Sequence, residues 1–179
     1  MPTIDQLASE LRHKGPERLF EDYPASSVLV GLGILGIQGE NSERSLRGTM
    51  RFVVTNRDEY LRAASLYGRV WFLTKKRENR QQSRIVIGRT SDADVVIPEL
   101  SISVEHCALE ATPFGLAVID LNSTNGTYVD GERVPKATPD SLHGGAKLAL
   151  GRFEFEYLRH REFLERLKQT AMRPQQRRR

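Results

Sequence analysis

Three short runs hold the residues best suited to chemistry: Gly88-Arg89, Ser103-Val104-Glu105-His106 and Asn122-Ser123-Thr124-Asn125-Gly126-Thr127. Arg89, Ser103, Thr124 and Asn125 among them offer one guanidinium, two hydroxyls and a carboxamide. A phosphate dianion suits these groups better than bond-breaking does. A phosphate monoester carries about −1.5 to −2 charge and three strong acceptor oxygens, so it needs donors. Arginine presents a rigid fork that pairs two oxygens at once. Ser and Thr hydroxyls rotate to meet the remainder. A nucleophilic Cys107-His106 pair is not expected, because neighbours on a strand point to opposite faces. No enzyme, metal or cofactor is expected.

Each run falls at or just past a strand-like stretch, so each belongs at a strand end or loop. From Gly68 onward the pattern is β. Arg69–Thr74, Arg84–Ile87, Asp94–Ile97, His106–Ala111 and Leu116–Leu121 read as strands, with a polar loop at 75–83. Asp130-Gly131 between Tyr128-Val129 and Arg133-Val134 is a hairpin turn signal. Lys147–Leu150 and Phe153–Leu158 close the series. In the last run Phe153, Phe155 and Tyr157 alternate with Glu154 and Glu156, as a half-buried antiparallel strand requires. Many short strands divided by turn residues predict a β-sandwich.

Both ends read as helical. Thr3-Ile4-Asp5-Gln6 is a capping box, a Thr cap with Gln three residues on. Ile4, Leu7, Ala8 and Leu11 then keep helical spacing, and Gly15-Pro16 stops the helix. Glu17 to Tyr23 adds one more short turn. Near the other end Phe163, Leu164, Leu167 and Ala171 share one face of a helix over 159–171, which docks on the sandwich until Pro174 stops it. Between 26 and 64 the reading is open. Val28 to Ile37 is a buried strand or a glycine-broken loop, Thr49 to Thr55 is strand-like, and Asn56 caps a short helix through Leu66.

These residues resemble the forkhead-associated (FHA) domain, whose signature is Gly-Arg, then Ser-x-x-His, then Ser/Thr-x-Asn-Gly-Thr in this order. Asp92-Ala93-Asp94-Val95-Val96-Ile97 resembles the acidic-apolar stretch between the first two. The resemblance covers about residues 67–158 and implies a mainly β protein, an antiparallel sandwich of about eleven strands whose loops bind phosphothreonine peptides. It implies that Arg89 holds the phosphate, that Ser103 donates a hydroxyl to it and that Thr124 adds another contact. Asn125 is implied to bind the peptide backbone. His106 braces the loop from inside, and Gly88 and Gly126 permit the turns. Val104 occupies a peptide-contacting position where the family often carries a basic or Asn residue, and Glu105 follows it. Ala146 replaces an Asp common after the glycine of the final hairpin.

The implied organisation is an N-terminal extension (1–66), a sandwich (67–158), a helix (159–171) and a basic disordered tail (172–179). The expected role is a non-enzymatic adaptor for Thr-phosphorylated proteins, with a Ser/Thr kinase or its substrate as candidates. The alternative is a scaffold of the same fold that binds without phosphate.

Bulk properties agree with a globular module. The 179 residues are 39% hydrophobic and 28% charged, within the range of globular domains. The lone cysteine, Cys107, excludes an internal disulfide and suits a cytoplasmic setting. The longest apolar run spans ten residues, Val28 to Ile37, too short for a membrane span. Asp5 and Glu10 interrupt the start, so no signal peptide is expected. The net charge of +4 is uneven, because residues 159–179 carry +6 and the rest −2. No aromatics interleave with the tail arginines, and nucleic acid is not an expected partner. Gly31-Leu32-Gly33-Ile34-Leu35-Gly36 matches G-x-G-x-x-G, but Gln38 to Gly48 makes a poor helix. A dinucleotide site is therefore not expected.

Overall fold

The computed structural model describes residues 1–34, 65–76 and 83–172. The expected strand at 49–55, the helix from Asn56, much of the 75–83 loop and nearly all of the basic tail lie outside the described residues.

The chain opens with α1 (Ile4–Asp22) and β1 (Ser27–Ile34). Four strands follow: β2 (Val70–Phe72), β3 (Arg84–Gly88), β4 (Val95–Val96) and β5 (Cys107–Thr112). Then come β6 (Gly115–Asp120), β7 (Thr127–Val129), β8 (Glu132–Arg133) and β9 (Asp140–Leu142). The chain closes with β10 (Lys147–Leu150), β11 (Phe153–Arg159) and α2 (His160–Met172). The strands form a six-stranded sheet, β2-β1-β11-β10-β7-β8, and a five-stranded sheet, β4-β3-β5-β6-β9. Among the described strands the pairings are antiparallel except the two-residue pair of β3 with β4.

The core between the sheets follows the alternation in the sequence. Phe153, Phe155 and Tyr157 of β11 point inward with Leu29, Trp71, Ile87, Leu109 and Val118. The Trp71 indole ties the sheets together by donating to the Val96 carbonyl at 3.2 Å.

A helical layer covers the outer face of the six-stranded sheet. Leu7, Leu11 and Leu19 of α1 and Phe163 and Leu167 of α2 bury Val28, Val30, Val70 and Leu158. Tyr23 stacks on Phe72 with ring centroids 4.8 Å apart. Both faces of β1 are therefore buried, which is why it reads as an unbroken apolar run.

The capping box forms: Thr3 Oγ1 accepts from the Gln6 backbone N–H at 3.3 Å, and Gln6 Oε1 accepts from the Thr3 N–H at 2.8 Å. Gly15 breaks the helical dihedrals with φ at +78°, and α1 resumes behind Pro16, a residue well suited to a first helical turn.

One sequence expectation changes. The sandwich recruits residues upstream of 67, since β1 lies between β2 and β11 in the six-stranded sheet. Gly31 to Ile34 of the glycine-rich stretch belong to that strand. A Cβ on Gly31 would lie 2.1 Å from the Leu66 carbonyl oxygen, so the glycine serves a close backbone approach rather than a nucleotide.

Candidate functional site

The three motifs meet at one end of the sandwich, on loops leaving β3, β4 and β6. Arg89 follows the last residue of β3, and its backbone N–H donates to the Ser103 carbonyl at 2.9 Å. Ser103 Oγ accepts from the Thr124 N–H at 3.1 Å. Residues 35 positions apart in sequence are thereby joined through two hydrogen bonds. The Arg89 guanidinium gives one N–H to the Leu100 carbonyl at 3.3 Å. The Ser103 hydroxyl proton is not used in its bond to Thr124. Thr124 is exposed, while Arg89, Ser103 and Asn125 are half-buried.

The remaining site residues are structural neighbours of these donors. Asn125 Nδ2 donates to the Ser101 carbonyl at 2.8 Å, which links the two loops a second time. Val104 is 46% exposed, and Glu105 beside it is exposed too. Ala146 is fully buried in the core, where a carboxylate would carry a large desolvation cost.

Gly88 is set by its surroundings. A Cβ there would lie 1.9 Å from the Val104 carbonyl oxygen. Gly88→Ala is expected to destabilise by about 3 kcal/mol or more, since the overlap is with backbone and cannot be relieved by a rotamer. It would also push the Ser103–His106 loop off β3. Urea titration and phosphopeptide binding would check this. Wild-type values for both would show the loop to be more yielding than its contacts indicate.

His106 is fully buried. Its Nδ1 accepts from the Ser103 N–H at 3.0 Å, and its Nε2 lies 3.1 Å from the Gly126 carbonyl. A backbone N–H can only donate, so Nδ1 carries no proton and Nε2–H is the donor. The ring therefore bridges the loop at Ser103 and the loop at Gly126 in its neutral form. Burial holds its pKa below the ordinary 6.5, outweighing the Gly126 carbonyl and Asp120, which push it up. The unfolded chain takes up a proton as pH falls below 6.5 and the folded chain resists, so stability declines in that direction. One such group contributes at most about 1.4 kcal/mol per pH unit. Urea midpoints between pH 7 and pH 5 should fall more steeply in wild type than in His106→Gln. Parallel slopes would refute the assignment.

Beneath the loops lies a network that motif reading passes over. Asp120, only 2% exposed, accepts from the Ser123 backbone N–H at 3.0 Å, the Ser123 hydroxyl at 2.6 Å and the Thr127 hydroxyl at 2.7 Å. Ser123 Oγ in turn accepts from the Gly126 N–H at 3.0 Å. Burial raises the Asp120 pKa, but the Ser123 and Thr127 hydrogen bonds together bring it below the ordinary 3.8. The available signal was the Asp-x-x-Ser spacing, in which a carboxylate can accept from a backbone N–H of its own turn.

Residues 85–151 match the family model of the FHA domain. This segment is an FHA domain. FHA domains are binding modules that take up phosphothreonine peptides in Ser/Thr kinase signalling. Among similar proteins, a probable serine/threonine-protein kinase, fhkA of Dictyostelium discoideum, is 35% identical over 79 residues, 40% of this chain and 13% of that protein. The ABC transporter ATP-binding/permease protein Rv1747 of Mycobacterium tuberculosis is 41% identical over 71 residues, 40% of this chain and 8% of that protein. The match therefore spans a small part of either relative. A solved structure from work on phosphothreonine-dependent FHA domain interactions is 29% identical over 52% of this chain and 86% of its own, with a TM-score of 0.43.

Proposed function

We propose that this FHA domain is a phosphothreonine-binding adaptor in Ser/Thr kinase signalling, and that Arg89, Ser103 and Thr124 hold the phosphate. Asn125 holds the bound backbone, Val104 touches the peptide, and Gly88, His106 and Gly126 keep the loops in place. The observation that carries this reading is the chain of bonds from Arg89 through Ser103 to Thr124. It gathers donors, each with hydrogen-bonding capacity left, at one end of the sandwich. The partner is a Thr-phosphorylated protein, a kinase or a kinase substrate, met in the cytoplasm. Residues 1–26 and the α2 helix form a cover for the sandwich, and no helix among the described residues is long and apolar enough to cross a membrane.

A phosphothreonine peptide array with phosphatase-treated duplicates tests the proposal. Binding should be confined to the phosphorylated set. Val104 and Glu105 favour a second reading, a scaffold that ignores phosphate, because the exposed Val104 side chain has no donor and Glu105 repels an anion. Equal binding to treated and untreated arrays would favour it.

A further inference from the structure

The turn between β10 and β11 lies against both motif loops, and the phosphate donors do not account for it. Leu150 pairs with Phe153, so Gly151 and Arg152 alone make the turn. The Gly151 N–H donates to the Gly126 carbonyl at 3.1 Å, the same oxygen that His106 Nε2 meets at 3.1 Å. The Arg152 N–H donates to Ser101 Oγ at 3.4 Å. Gly151 lies in the left-handed region with φ at +58°, and a Cβ on it would lie 2.3 Å from the Ser101 carbonyl oxygen. Its dihedral and the approach of Ser101 both call for glycine.

That same Ser101 carbonyl takes the Asn125 Nδ2 hydrogen bond at 2.8 Å. A carbonyl oxygen can only accept, so it fixes the carboxamide with Nδ2 toward Ser101 and leaves Oδ1 for another donor. The turn therefore grips both ends of this bond. It holds Ser101 by backbone contact and through its hydroxyl. It holds Gly126, the residue after Asn125, through its carbonyl.

Resting on the phosphothreonine reading, we infer that Ser101 and Gly151 are positioning residues, which hold the Asn125 carboxamide in the orientation that binds the peptide backbone. Neither touches the ligand. Their effect passes through Asn125 and not through the phosphate, because Arg89, Ser103 and Thr124 are joined by separate bonds.

The test is a double-mutant cycle read by calorimetric titration with a phosphothreonine peptide taken from the array. Gly151→Ala should bind it about three- to tenfold more weakly than wild type, the range of one neutral hydrogen bond. In an Asn125→Ala background the same change should cost almost nothing further, whereas in Arg89→Lys it should keep its full effect. A merely structural role would give the same factor in all three. Gly145→Ala is the control: its φ is +86° with open space around it, so it should lower the urea midpoint and leave peptide affinity unchanged. If Gly151→Ala does not fold, Ser101→Ala carries the cycle. It removes the acceptor of the Arg152 N–H and should weaken binding about threefold, again only where Asn125 is present. An undiminished loss in the Asn125→Ala background, or no loss in the wild-type background, overturns this inference and leaves the phosphothreonine reading standing. Failure of every phosphopeptide to bind the wild-type protein overturns both.

Discussion

Arg89→Ala is expected to weaken phosphothreonine-peptide binding by about tenfold to a few hundredfold. The guanidinium is the one full positive charge among the groups proposed to hold the phosphate. A charged hydrogen bond is worth about 1.5–3 kcal/mol, and each 1.4 kcal/mol is tenfold in affinity. Among the described residues Arg89 makes one side-chain bond, to the Leu100 carbonyl, so its loss should barely alter folding. The substitution therefore separates binding from stability. Arg89→Lys should fall between the two, since it keeps the charge and loses the fork. Calorimetric titration of the three proteins with one phosphopeptide gives the answer. Unchanged affinity in Arg89→Ala would remove Arg89 from the phosphate site.

Asp120→Ala is expected to lower folding stability by about 3–5 kcal/mol, the usual cost of removing one partner from a buried charged network. Three donors lose their acceptor at once, and two of them are hydroxyls that are buried with it. Ordinary domains have about 5–15 kcal/mol in all, so the change would be visible as a large drop in urea midpoint. Binding should fall as well, because Ser123 and Gly126 flank Thr124 and Asn125. Acid provides an independent check. The Asp120 pKa is depressed in the fold, so its stabilisation is present above the ordinary value of 3.8 and is lost as pH falls below it. Wild type should lose stability below pH 4 more steeply than Asp120→Asn. If Asp120→Ala unfolds at the wild-type midpoint, the network contributes nothing to the fold.

The two substitutions separate what was legible in the sequence from what was not. Arg89, Ser103 and Thr124 could be picked out because their types suit an anion and their order repeats a known signature. Asp120 could not, since a carboxylate close to a phosphate site looks unfavourable until its own donors are seen to neutralise it. In the fold, alternation in β11 and the Asp130-Gly131 turn were readable, whereas β9 (Asp140–Leu142) had too few residues to show a period.

The sequence by itself determined the local features: the Thr3–Gln6 cap, the strand periods, the turn residues and the identity and order of the proposed phosphate donors. Each depends on residues within a turn or a strand of one another, where spacing alone fixes geometry. Tertiary structure decided the rest. It made β1 a sheet member buried on both faces, turned Gly31 toward Leu66 and bound Ser103 to Thr124. These contacts join residues tens of positions apart, and local spacing does not encode which distant backbone will fill a glycine's empty side or accept a loop's hydrogen bond.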